Sequence, residues 1–140
     1  MQVKRFEVTN GPISIDAVAG RLANAGNGAV VTFVGVVRDN TQGRRVRCLE
    51  YEAYPEMAEQ TLSQIGDEIR ARWASIRDVA IVHRVGRLQI GETSVVIALS
   101  AGHRPELFDA LHFGIDRLKE IVPIWKREVF EDGAEWKGEA

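Results

Sequence analysis

AVVTFVGVVRDNTQGRRVRCLEYEAYPEM, residues 29–57, decides the fold class. Its first nine residues are a β-branched run bounded by Gly28 and the polar DNTQGRR loop, the composition of a strand. In 46–54, Leu49, Tyr51 and Ala53 alternate with Glu50, Glu52 and Tyr54, so a half-buried strand follows a hairpin-like connection. Pro55 then opens a helix, where its missing N–H costs nothing, and Met57, Leu62, Ile65 and Ile69 recur at helical spacing until about Trp73. Upstream, 2–8 reads as a short strand, and Ser14 caps a helix that turns Ile15, Val18 and Leu22 to one side and ends at 24–28. Downstream, 79–83 and 93–100 read as strands separated by the turn-rich VGRLQIGE. Residues 105–121 form a helix with Leu107, Leu111, Ile115, Leu118 and Val122 as its apolar stripe. Pro123 stops it, and 124–130 runs as a last strand toward the turn at Asp132-Gly133. This interleaving is too irregular for a doubly wound parallel sheet and predicts an α+β fold with mixed, largely antiparallel sheets and packed helices.

The chain has 140 residues, 45% of them hydrophobic, enough for one domain spanning 1–140 with a real core. With 18 basic and 20 acidic side chains the formal charge is -2, so no global field recruits nucleic acid or an anionic membrane and any anion site must be local. Cys48 is the only cysteine, which excludes an internal disulfide and suits a reducing compartment; its strand position points to a buried, inert thiol. The N-terminal MQVKRFEV lacks the apolar run of a signal peptide, and no stretch approaches the roughly 20 apolar residues that span a bilayer, so a cytoplasmic protein is expected.

The candidate chemistry concentrates in RLKEIVPIWKRE, residues 117–128, which sets Lys119 and Lys126 on either side of an apolar patch. Burial or a neighbouring cation disfavours an ammonium and makes a lysine chemically useful. The alternative is a stem laid along apolar surface with its head in water, which is the commoner arrangement beside tryptophan. Lys119 falls on the stripe of His112, with Phe108 and Ile115 nearby, at the border of the buried face, where partial desolvation is expected. The corner Ala101-Gly102-His103-Arg104-Pro105 brings an arginine fork and an imidazole to a strand-to-helix junction suited to an anion; Arg104 could equally pair with Glu106 or Asp109. Arg38 ends the 29–37 strand at a possible pocket rim. His83-Arg84, followed by Gly86, reads as a structural turn. The three histidines have neither close spacing nor cysteine partners, so no metal site is expected, and no glycine pattern matches a P-loop or dinucleotide fingerprint.

These residues carry a family resemblance over nearly the whole length. GAVVTFVGVVR (28–38), LEYEAYPEMAE (49–59), IVHRVGRLQIGE (81–92), AGHRPELFDA (101–110) and LKEIVPIWKRE (118–128) together resemble the large, catalytic subunit of molybdopterin synthase. The resemblance implies a hammerhead-like α+β fold and conversion of cyclic pyranopterin monophosphate to molybdopterin by installing two dithiolene sulfurs. It implies as partner a small ubiquitin-like subunit whose C-terminal Gly-Gly thiocarboxylate delivers the sulfur, with two large subunits dimerised between two small ones. No cofactor is implied. Carried over by residue, it makes Lys119 and Lys126 catalytic, with Lys126 orienting the tail and lowering the pKa of Lys119. Phe33, Arg38, His103, Arg104 and Ile115 become substrate-binding, Ile115 standing where relatives can carry methionine. The tail at 136–140 is shorter than in relatives that continue with basic residues and lend an arginine to the neighbouring site, leaving Lys137 as a weak substitute.

Two other classes compete. A noncatalytic phospholigand-binding module that docks a ubiquitin-like partner would keep the cationic pocket but have no need of both lysines. A single-strand nucleic-acid binder using Tyr51, Tyr54 and the basic loop Arg44, Arg45 and Arg47 is disfavoured by the net negative charge and the lack of a stacking motif.

Overall fold

The computed structural model describes residues 4–139, so Gln2 and Val3 of the expected first strand, with Met1 and Ala140, lie outside the described residues. Twelve elements follow in order: β1 (Phe6–Thr9), α1 (Ile15–Gly20), β2 (Ala29–Val36), β3 (Asn40–Thr41), β4 (Arg44–Ala53), α2 (Pro55–Arg72), β5 (Ile76–Arg84), β6 (Gly86–Gln89), β7 (Thr93–Ala101), α3 (Leu107–Ile121), β8 (Ile124–Phe130) and β9 (Gly133–Glu139). One sheet has the order β1-β5-β7-β2; the other runs β3-β4-β8-β9, with β6 added on β4. Only β1 on β5 is parallel among the described pairs. The expected α+β class with largely antiparallel sheets is therefore what forms.

The first sheet is covered on both faces, and its strands show why they read as continuous apolar runs. Successive strand residues point to opposite faces. Val79, Ile81, Ile97 and Leu99 join the large core under α2 and α3, whereas Ala80, Val82, Val96 and Ala98 pack with Val18 and Leu22 of the α1 segment. Ser14 caps α1 as expected, its Oγ accepting from the Ala17 N–H at 3.2 Å, although the helix is only one and a half turns long and Leu22 packs from the turn after it. Pro55 occupies the first turn of α2.

Four expectations are corrected. Residues 29–37 and 46–54 do not form a hairpin with each other: β2 pairs with β7, and β4 leaves for the second sheet to pair with β8 and β6. The tight hairpin is local, Asn40 opposite Arg45 and Thr41 opposite Arg44, with Gln42 (φ 50°) and Gly43 (φ 82°) supplying the two left-handed residues that a type I′ turn requires. VGRLQIGE contains a strand, β6, whose Leu88 is fully buried, and 133–139 adds the edge strand β9. Met57 lies off the α2 stripe and is 57% exposed; the buried positions are Ala58, Leu62, Ile65, Gly66 and Ile69. Finally, α3 starts at Leu107, two residues after Pro105.

Burial on α2 generates a stability prediction. Leu62→Ala empties a fully buried position and should cost about 2–5 kcal/mol, whereas Met57→Ala should change stability by no more than about 0.5 kcal/mol. Chemical denaturation of both variants checks this; a Met57→Ala loss as large as that of Leu62→Ala contradicts the assigned face.

Candidate functional site

The two sheets and α3 meet at one place, and the pocket there is built by alternation and a helix stop. In β8, Ile124, Lys126, Glu128 and Phe130 share the inward face, with Ile124, Glu128 and Phe130 buried. Lys126 stands opposite Tyr51 of β4 and Glu128 opposite Leu49. The α3 helix ends when the Val122 N–H bonds to Leu118 O at 3.1 Å; Pro123 then has no N–H to continue it. Lys119, in the last turn of α3, and Lys126, in the middle of β8, thereby reach the same cavity from different elements.

That cavity has two chambers sharing Phe33, Gly35, Val36, Tyr51, Lys119 and Lys126. The inner chamber, about 170 Å³, adds His83, Ser94, Val95, Ile97, Ile115 and Leu118. The outer chamber, about 440 Å³, adds Val34, Arg38, Thr41, Leu49 and Glu128. A Cβ on Gly35 would lie 2.7 Å from Val95 Cγ1, so the β2 wall admits only glycine without a shift. A larger depression of about 570 Å³ beside Phe113 is open, and its charges are used locally: Arg117 pairs with Glu68 at 2.8 Å, and Arg72 stacks over Trp73 and Phe113.

The electrostatics differ between the chambers. Among the described residues no ion pair engages Arg38, Lys119 or Lys126. Burial pushes the Lys126 ammonium below the ordinary lysine range; Glu128 opposes this, and the cations of Lys119, Arg38 and Lys137 add to it. Lys126 is pushed down because it lies half-buried on an inward strand face, whereas Lys119 is exposed at the helix border. Glu128 is 4% exposed, accepts from the Thr41 hydroxyl at 2.5 Å and has Lys137 Nζ 3.8 Å away. The inner floor is uncharged: burial pushes His83 down to about 4, against a smaller opposing effect of its bond to the Arg84 carbonyl. Burial likewise raises the Tyr51 phenol, opposed by its hydrogen bond with Ser94.

The pocket brings together Phe33, Arg38, Ile115, Lys119 and Lys126 of the expected site, but not His103 and Arg104. Val95, at the cavity, pairs with Gly35 and His83, whereas Ala101 pairs with Ala29 and Ile76 at the far end of the sheet. The six strand steps of β7 from Val95 to Ala101 span about 20 Å along the sheet, and His103 and Arg104 follow beyond that end. Both corner residues are exposed, and Glu106 accepts from Ser75 Oγ at 2.8 Å rather than pairing with Arg104. Sequence reasoning missed Tyr51, Ser94 and Glu128, and it misread His83 as part of a turn. His83 shares the inward face of β5 with Val79 and Ile81, and that period of two was the available signal. Cys48 is 1% exposed, as expected of an inert thiol.

The neutral burial of His83 makes stability depend on pH. Its folded pKa of about 4 lies below the ordinary 6.5, so between these values the unfolded chain binds more protons. The stabilisation is therefore complete above 6.5 and is lost as pH falls through 4, amounting to about 3 kcal/mol. From pH 7 to pH 4 the wild-type unfolding free energy should fall by about that much more than that of His83→Gln; parallel acid slopes for the two proteins contradict the neutral burial.

Comparison with known proteins agrees with this geometry. The model of the MoaE protein family matches residues 8–121. The molybdopterin synthase catalytic subunit of Halalkalibacterium halodurans is 50% identical over 139 residues, covering 99% of this chain and 88% of that protein. The crystal structure of molybdopterin synthase from Staphylococcus aureus superposes with a TM-score of 0.92 at 47% identity, covering 97% of this chain and 98% of that one. A complex of subunits 1 and 2 of the Helicobacter pylori molybdopterin-converting factor shares the fold, with a TM-score of 0.76 at 17% identity. With the family model spanning most of the sequence and half the residues identical to a catalytic subunit along its full length, the chain belongs to the MoaE family of molybdopterin synthase catalytic subunits.

Proposed function

We infer that the chain, acting as one domain of residues 1–140, is the catalytic subunit of molybdopterin synthase, and that Lys119 and Lys126 carry its chemistry. It is a sulfurtransferase of molybdenum cofactor biosynthesis. It converts cyclic pyranopterin monophosphate to molybdopterin with sulfur from the C-terminal thiocarboxylate of a small ubiquitin-like subunit. The observation that carries the residue roles is the pair of lysines on the wall common to both chambers, free of carboxylate partners among the described residues.

The chemistry brings together an anionic sulfur donor and an anionic phosphate, and negative charge develops on the acyl oxygen when water attacks the acyl carbon and releases the carrier. Preorganised cations supply this stabilisation best where water is excluded. Arg38 in the outer chamber holds the anionic groups, and Lys119 acts at the thiocarboxylate and the pterin carbon. Lys126, whose ammonium burial disfavours, serves as the proton-exchanging group. Phe33 and Ile115 form apolar walls. Since His103 and Arg104 line neither chamber of their own chain, we assign them to the outer chamber of a second copy, in a homodimer flanked by two small subunits. No described helix is long and apolar enough to cross a membrane, and we assign the protein to the cytoplasm. The basic hairpin is engaged internally, Arg44 by Asp132, Glu135 and the Phe130 ring, which weighs against a nucleic-acid surface.

The test is reconstitution with cyclic pyranopterin monophosphate and thiocarboxylated small subunit, reading dithiolene product. Wild type should turn over, and Lys119→Ala should lose about 10²–10³-fold in rate while binding both ligands as before. Near-normal rates in Lys119→Ala remove it from the chemistry. No product from wild type, with a control catalytic subunit active in the same mixture, leaves the noncatalytic binding module.

A further inference from the structure

His83 is a buried polar group that the catalytic reading does not use. It is 2% exposed, yet it lines the inner chamber together with Lys119 and Lys126. Its Nδ1 lies 2.8 Å from the Arg84 carbonyl oxygen. A carbonyl can only accept, so Nδ1 carries the proton, and in the neutral ring Nε2 is left as a bare acceptor. The ring is held in place: it is buried, and Tyr51 packs against it edge-on, with centroids 5.1 Å apart and planes at 74°. Among the described hydrogen bonds none reaches Nε2, and Nε2 is not among the buried atoms sealed from solvent without a partner, so it opens onto the chamber.

We propose that His83 Nε2 is a fixed hydrogen-bond acceptor for substrate at the floor of the inner chamber, taking an N–H or O–H from the bound carrier tail or from the pterin. The proposal rests on the sulfurtransferase reading of the pocket. A neutral acceptor repels a thiocarboxylate or phosphate oxygen and welcomes an amide N–H, a ring N–H or a hydroxyl. The anionic groups are thereby turned toward Arg38 and the lysines, and a neutral donor group is turned inward. His83 therefore acts on orientation, complementing the charge stabilisation at the mouth.

Nitrogen-15 NMR of the wild-type protein tests this without a variant. In the free protein the His83 imidazole should show the Nδ1–H tautomer with Nε2 unprotonated. Saturation with cyclic pyranopterin monophosphate, or with the carboxylate form of the small subunit, should move the Nε2 resonance toward its hydrogen-bonded position, and the ligand that does so identifies the donor. An Nε2 resonance unmoved by both ligands overturns the proposal. Two substitutions give an independent readout. His83→Asn keeps a donor for the Arg84 carbonyl but no acceptor at the Nε2 position, whereas the longer His83→Gln restores one. Reconstituted kcat/KM should fall about tenfold in His83→Asn and stay well above that level in His83→Gln, whatever their relative thermal stabilities. A His83→Asn protein as active as wild type also overturns it. Failure of the sulfurtransferase reading is distinguishable, because it abolishes product from the wild-type protein itself.

Discussion

The pocket depends on the antiparallel register of β8 on β4. With Lys126 opposite Tyr51, the inward face of β8 carries Ile124, Lys126, Glu128 and Phe130, and the buried Ile124 and Phe130 hold that face against the core. A slip of one residue would send all four to the opposite face and put Trp125, Arg127 and Val129 in their place. Pro123 fixes where this register begins, because it ends α3 one turn after Lys119 and leaves Ile124 as the first strand residue. Two lysines seven positions apart, which on a continuous helix would be stacked along one stripe, instead reach one cavity from a helix and a strand.

Gathering Arg38, Lys119 and Lys126 around one cavity carries a cost in repulsion and desolvation, and Glu128 offsets part of it from a buried position braced by the Thr41 hydroxyl. Thr41 is placed by the tight hairpin at Gln42-Gly43, so a turn in the second sheet helps to hold a carboxylate under the active cations. The result is an uneven cavity: cations on the shared wall and in the outer chamber, and a neutral floor at His83 and Ser94 in the inner one.

Much of this was legible in the sequence where local pattern and tertiary outcome coincide. The 29–37 run, the Pro55 helix start, the Pro123 stop and the 124–130 strand all formed because each is decided by neighbours in the chain. The misreadings have non-local causes. Residues 29–37 and 46–54 are joined by a hairpin that neither pairs across, since β2 finds its partner in β7 some sixty residues on. β6 was hidden by the glycines at its edges, and Met57 was one position off a stripe that Ala58 and Gly66 define with side chains too small to announce it. The site divided in the same way. Lys119, Lys126, Arg38, Phe33 and Ile115 converge within one chain, whereas the His103-Arg104 corner occupies the other end of β7. Its place in the family motif said nothing about this separation along β7.

The most direct measurement of whether α3 and β8 build one catalytic unit is a double-mutant cycle on single-turnover sulfur transfer, comparing Lys119→Ala, Lys126→Ala and the combined variant. Groups acting as a unit are strongly non-additive, so the combined variant should be about as slow as the slower single one. A combined loss equal to the product of the two single losses would mean that the lysines act independently, contradicting a shared site.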